Sequence, residues 1–209
     1  MRREKNFIVF EGLDGSGKSS QIELLKQYIG KTEKKDSCIF TFEHTRQGPW
    51  SEEIEKIIHG EMPMPQAEKF QLLYILDRKE HLRDIILPAL KKGKTVFCDR
   101  YMLSTLVYGS FEGTIHWKTL FQYHKDILGD DFILPEKTIF FDVDSDVAMG
   151  RISQNREKPT YFETKNRLAK LREAYLAIGK HIDGFETIDG GGTPEEVFEK
   201  TKEKLKGYL

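Results

Sequence analysis

The chain has 209 residues, of which 38% are hydrophobic and 32% charged, enough apolar material for one substantial core and one domain spanning 1–209. A net charge of −1 excludes an overall basic field that would draw it to nucleic acid or an anionic membrane. No apolar run approaches the roughly 20 residues needed to cross a bilayer, and MRREKNF leads into a strand without a signal-peptide core, so a cytoplasmic location is expected.

In chain order, the first predicted element is an apolar run, Phe7 to Phe10, suited to a buried parallel strand. It runs into GLDGSGKS, Gly12 to Ser19, whose G-x-x-x-x-G-K-S spacing is the phosphate-binding loop pattern. Gln21 to Ile29 follows with Ile22, Leu25 and Ile29 on one helical face. Glycines let backbone N–H groups curl around phosphate oxygens, and the helix start adds about half a positive charge there. Lys18 is expected to reach the outer phosphates of a nucleoside triphosphate, and the Ser19 hydroxyl to ligate Mg²⁺.

Further strands are expected at 38–42, 95–99, 138–143 and 184–188, each short and nearly continuous in apolar or β-branched residues. Helical patterns occupy 51–59, 66–92, 115–128, 145–154, 164–182 and 194–209. The alternation predicts an α/β fold, a five-stranded parallel sheet with helices on both faces. Segments 31–37, 109–113 and 155–161 read as polar loops, and Asp189 to Gly192 as a turn before a helix capped by Thr193 with Pro194 in first position. Cys38 and Cys98 sit in strand-like segments as small buried hydrophobes, with neither a disulfide nor a metal site expected. Lys91, Lys92 and Lys94 form a solvated face.

Three stretches carry further chemistry. FCDRYMLSTLVYG, 97–109, starts at the carboxyl end of a predicted strand, where ligands of an open α/β sheet gather. Asp99 there suits a Mg²⁺ shell and Arg100 a two-pronged grip on phosphate, or the two form a pair that merely caps a helix. EKFQLLYILDRKEHLRDIILPAL, 68–90, is mostly core helix, with Tyr74 and Arg78 four apart on one face. They form either a ring and planar cation that receive a base or an exposed i,i+4 pair. RISQNREKPTYFE, 151–163, places Arg151 and Arg156 in or beside a loop between helices, as a lid over a transferring phosphoryl group or as a solvated basic loop.

Together the GLDGSGKS loop, the LLYxxDR helix, the DRYxxST segment and an arginine-containing loop ending in FE resemble the thymidylate kinases, a P-loop nucleoside monophosphate kinase family, over nearly the whole chain. The resemblance implies a P-loop NTPase fold with a lid at about 151–163, transfer of the γ-phosphoryl of MgATP to dTMP, and a homodimer with no nucleic-acid or membrane partner. It gives ATP to Gly12, Gly15, Ser16, Gly17, Lys18, Ser19 and Ser20, and the metal to Ser19 and Asp99. Asp14 becomes the carboxylate that meets the acceptor's sugar, Tyr74 the ring stacked on thymine, usually Phe in the family, and Arg78 the donor to the base O4. Arg100 clamps the acceptor phosphate, while Ser104, Thr105 and Tyr108 line the base pocket. Catalysis falls to Asp14, Lys18 and Arg100 with Arg151 and Arg156 of the lid, because the position after Asp14 is Gly15 and not a basic residue.

The chain also departs from the family pattern. Where an Arg-Glu-Pro segment commonly follows the second strand, it reads TFEHTRQGPW: Glu43 matches, Phe42 and His44 replace the other two, and Arg46 is the expected substitute contact to the acceptor phosphate. Tyr-Gln becomes Tyr108-Gly109, and the lid reads PTYFE. A kinase for another nucleoside monophosphate or a deoxynucleoside is the nearest alternative. A nucleotide-binding regulator that transfers nothing is the other, and Asp14 and Arg100 argue against it because a regulator needs no acceptor site.

Overall fold

Five apolar segments become five parallel strands because both faces of the sheet are covered. The structure is a computed structural model that describes residues 2–111, 115–155 and 164–209. The strands are β1 (Arg2–Gly12), β2 (Cys38–Phe42), β3 (Thr95–Asp99), β4 (Ile133–Asp142) and β5 (Phe185–Asp189), in the order β2-β3-β1-β4-β5. The helices are α1 (Lys18–Ile29), α2 (Pro49–Ile58), α3 (Ala67–His81), α4 (Leu87–Lys91), α5 (Met102–Ser110), α6 (Trp117–Leu128), α7 (Ser145–Asn155), α8 (Lys165–Gly179) and α9 (Pro194–Lys204).

Alternation along β1 divides the core. Phe7 and Val9 point to one face, against residues of α5, α6 and α8 such as Leu106, Leu120 and Tyr175. Ile8 and Phe10 point to the other, against Ile22, Leu25 and Ile29 of α1 and Val197 of α9. The chain leaves β1 toward β2 and leaves β3 toward β4 on the opposite side, so the strand order reverses between β1 and β3. The crevice that opens at the carboxyl ends of these strands is where such sheets bind ligands. Phe10 stands beside Asp99 in the register, which brings the glycine loop and the Asp99-Arg100 turn to that crevice.

The expected fold class is the one observed, with four local differences. β1 and β4 are longer than their apolar runs, because the charged residues Arg2 to Glu4 pair with Ile133 to Pro135 beyond the core, across an irregularity between Glu4 and Ile8. The 66–92 pattern divides: α3 ends at His81, a π-helical turn covers Leu82–Ile86, and α4 follows. Pro88 is the reason, since it has no N–H to give the preceding turn. α5 has no counterpart among the expected helices. It is apolar nearly all round, and its N-cap residue Tyr101 makes no side-chain cap bond. The carboxylate that caps it, Glu11, comes from β1. The last helix ends at Lys204, short of the expected 209.

Gly109 shows how tightly α5 is wedged. A Cβ there would lie 2.6 Å from Leu120 Cδ1 and 2.7 Å from Gln71 Cγ, both in the packed interior between α3 and α6. Gly109→Ala should therefore destabilise the chain by about 1–3 kcal/mol, lowering Tm by roughly 2–4 °C per kcal/mol in calorimetry. Gly150→Ala, in α7 with nothing within 4 Å of the added carbon, is the control and should leave Tm unchanged or raise it.

Candidate active site

The glycine loop turns through Gly15 and Gly17, whose φ angles of 77° and 85° suit a residue with no Cβ. Ser16 N donates to the Leu13 carbonyl at 3.0 Å, Lys18 N to Ser16 Oγ at 3.4 Å, and α1 begins at Lys18, so the N-terminal end of that helix lies at the loop. Gly12 lies beneath, where a Cβ would stand 2.5 Å from Ser16 Oγ. A cavity of about 380 Å³ opens over the loop, lined by Asp14 to Gln21 and, opposite, by Arg151, Gly190, Gly192 and Pro194. The Asp189 to Gly192 turn thus forms a wall of the donor side as well as preceding a helix. Thr193 caps α9 with Pro194 in first position, as the sequence predicts, and Glu196 completes a capping box with it.

A second cavity, of about 420 Å³, lies on the far side of Asp14. Asp14, Glu43, Tyr74, Arg78, Arg100, Ser104, Thr105 and Tyr108, all acceptor candidates from the sequence, line it together. Arg100 adopts a φ of 65°, a left-handed conformation that a non-glycine residue holds at some energetic cost. Its backbone N–H donates to the Phe10 carbonyl at 2.8 Å. Its guanidinium donates to Asp14 Oδ1 at 2.9 Å and to Ser104 Oγ and Tyr175 Oη at 3.2 Å each. The reading of Asp99 and Arg100 as only a helix cap therefore does not hold: Arg100 faces the cavity, and the cap is Glu11.

Charge is concentrated where the cavities meet. Burial, and next the Arg100 charge, pull the Lys18 ammonium below its ordinary 10.5, while its ion pair with Asp99 opposes them. Burial pushes the Tyr108 phenol up to about 12. Arg78, only 1% exposed, donates from Nε to Glu43 Oε2 at 2.7 Å, and His81 Nδ1 is 3.0 Å from the other Glu43 oxygen. Tyr74 and Arg78 are accordingly cavity wall, and the exposed-pair reading of that helix face fails.

Residues 10–201 match the family model for thymidylate kinase. The chain belongs to the thymidylate kinase family. A thymidylate kinase of Mesoplasma florum is 35% identical over 209 residues, covering 95% of this chain and 94% of that protein. One from Leptospira borgpetersenii is 33% identical over 199 residues, covering 94% and 91%. The crystal structure of a thymidylate kinase from Ehrlichia chaffeensis shares the fold, with a TM-score of 0.71 at 24% identity over 99% of both chains.

The departures from the thymidylate kinase pattern now have physical content. Arg46, the expected substitute for the missing arginine, is not brought to the acceptor cavity. Its guanidinium sits 5.4 Å from the centre of the Phe42 ring, and it lines a separate surface groove with Glu52 and Glu55. Attraction to that ring favours the outward position. His44 instead enters the wall: its Nε2 is 2.6 Å from Glu55 Oε1, and its ring stands edge-on to Tyr74 at 5.6 Å. Glu43 lines the cavity with its carboxylate committed to Arg78 and His81.

On the donor side, Arg151 faces backbone oxygens: Nη1 lies 3.4 and 3.3 Å from those of Gly15 and Ser16, Nη2 3.0 and 3.2 Å from those of Gly190 and Gly192. A guanidinium on these carbonyls braces the loop against the 190–192 turn while lining the donor cavity. Arg156 lies outside the described residues, as does most of the 151–163 lid. Glu11, Tyr175 and His81 escape sequence reading because each acts through a partner far along the chain. The one local signal was the glutamate standing in the apolar run before Gly12.

Burial by itself favours the neutral acid at Glu43, yet the Arg78 charge and the His81 contact outweigh it and hold the carboxyl below its ordinary 4.5. A folded-state value below the unfolded one stabilises the protein above that ordinary value, and the gain is lost as pH falls through the folded one. The Tm difference between wild type and Glu43→Gln should be widest near neutral pH and narrow progressively below about pH 4.5. A difference that stays constant down to acid unfolding would remove the ion pair from this account.

Proposed function

We propose that the chain transfers the γ-phosphoryl of ATP to dTMP, giving dTDP and ADP. The observation that carries this reading is Asp14, which lines both the donor and the acceptor cavity and is bonded to Arg100. A donor phosphate over the loop and an acceptor phosphate at Arg100 would then face one another across a single carboxylate. Phosphoryl transfer asks little covalent work of the protein, so rate comes from alignment and from stabilising charge.

Lys18, now paired with Asp99, would turn its ammonium to the β- and γ-phosphates, and Arg100 would exchange part of its bond to Asp14 for the acceptor phosphate. Tyr74 offers the face for the base, and Arg78 a donor to a carbonyl. The residues present fit Mg²⁺: the Ser19 hydroxyl is exposed in the first turn of α1, and the Asp99 carboxylate stands at the end of β3, both oxygen donors. The ion would neutralise charge on the triphosphate. Arg151 is the loop's brace, and the arginine that approaches the transferring phosphoryl is assigned to Arg156. Family membership supports a homodimer and a cytoplasmic location.

An ADP-release assay over the common nucleoside monophosphates and deoxynucleosides tests the assignment. The highest kcat/KM should belong to dTMP, with dCMP roughly tenfold to hundredfold poorer, because its amino group would set two donors face to face. Equal efficiencies for the two, or preference for an unphosphorylated nucleoside, would replace the assignment. Two variants separate the donor-side roles. Lys18→Ala should lower kcat by about a hundredfold or more with the fold retained. Arg151→Ala should act mainly on KM for ATP, and a kcat loss as large as that of Lys18→Ala would return Arg151 to the transferring phosphoryl.

A further inference from the structure

We propose that His124 is a positioning residue for the acceptor base: its neutral imidazole fixes the Arg78 guanidinium in the plane that offers one remaining donor to a base carbonyl. The proposal rests on the acceptor cavity being the dTMP site.

His124 is fully buried on α6, more than forty residues from Arg78 in the chain. Its Nδ1 lies 2.7 Å from the Leu120 carbonyl oxygen, which can only accept, so Nδ1 carries the proton. Its Nε2 meets Nη1 of Arg78, which can only donate, so Nε2 carries a lone pair. The tautomer is dictated from both sides, and a protonated ring would oppose N–H to N–H and cation to cation. Burial and the Arg78 charge accordingly push the imidazole pKa well below 6.5. The ring packs on Phe132 at 5.6 Å, which holds the imidazole plane.

Arg78 is thereby gripped on three edges. Nε donates to Glu43, and Nη2 lies 2.6 Å from the same carboxylate and donates to Thr105 Oγ1 at 3.2 Å. Nη1 donates to His124, and the guanidinium carbon sits 4.8 Å from the centre of the Tyr101 ring. Nη1 has a second N–H, and Arg78 lines the acceptor cavity. Glu43 and Thr105 hold the Nε and Nη2 edges, and His124 is what fixes Nη1. With His124 in place the second N–H has one direction, and a carbonyl is accepted where an amino group is refused.

The test uses His124→Leu, which removes the acceptor, and His124→Gln, which keeps an accepting oxygen, with kcat and KM for dTMP and dCMP, KM for ATP, and thermal unfolding. His124→Leu should reduce the dTMP-over-dCMP preference in kcat/KM about tenfold, most of it in KM for dTMP, while His124→Gln stays within about threefold of wild type. A folded Leu variant with the wild-type preference overturns the proposal. Should that variant not fold, ¹⁵N NMR of the wild-type imidazoles decides. A bare Nε2 whose resonance shifts on saturation with dTMP supports the role, and an Nε2–H tautomer, an imidazolium or an unmoved resonance overturns it. A wild-type enzyme without preference for dTMP fails the acceptor reading itself, which is distinguishable from a preference that survives loss of His124.

Discussion

Everything at the phosphoryl-transfer crevice hangs on one buried carboxylate. Glu11 accepts from the backbone N–H groups of Tyr101 and Ser104 at 3.0 and 3.1 Å, from Ser104 Oγ at 2.6 Å and from Tyr175 Oη at 3.3 Å. Taking a carboxylate out of water is costly unless its lone pairs are filled, and four donors fill them. These bonds join the end of β1 to the start of α5 and to α8. Arg100, held in its left-handed conformation between β3 and α5, has its direction set by that junction. Burial still pushes the Glu11 carboxyl upward, so its position is sustained by hydrogen bonding and not by an easy ionisation.

A second principle follows from the charges around it. Lys18 is paired with Asp99 and Arg100 with Asp14, each cation beside a carboxylate at the rim of a cavity made for phosphate. A buried charge with no partner would cost several kcal/mol, so these pairs hold the cations in place until substrate phosphates compete for them. Under the proposed function, Asp14 and Asp99 are the oxygen donors that this exchange would free. The same economy governs Arg78, which is held by Glu43, Thr105 and His124.

The sheet and the donor loop were legible in the sequence because their signals are local: apolar runs of strand length and a glycine pattern whose spacing is chemistry. The acceptor candidates Tyr74, Arg78, Arg100, Ser104, Thr105 and Tyr108 were legible only in combination, and the structure gathers them in one cavity. What stayed hidden depends on long-range pairing. Helix α5 is capped by a residue about ninety positions earlier, and Arg78 is held by a histidine that in sequence reads as one more core position of α6. Arg46 misled for the converse reason: proximity in sequence to Glu43 says nothing about which side of the loop a long side chain takes, and Phe42 draws it away.

Gly15 is the point at which the phosphate loop meets α7. A Cβ at that position would lie 2.3 Å from the Ala148 carbonyl oxygen and 3.0 Å from Ile152 Cγ1, so α7 rests directly on the loop. A basic side chain in the loop, the arrangement that would supply a phosphate-facing charge from within, cannot be placed there unless α7 withdraws. The contact that excludes it also joins the loop to α7, and Arg151 on that helix fastens both to the Gly190 and Gly192 carbonyls. The absence of a side chain at Gly15 is thus what lets α7 pack against the phosphate loop.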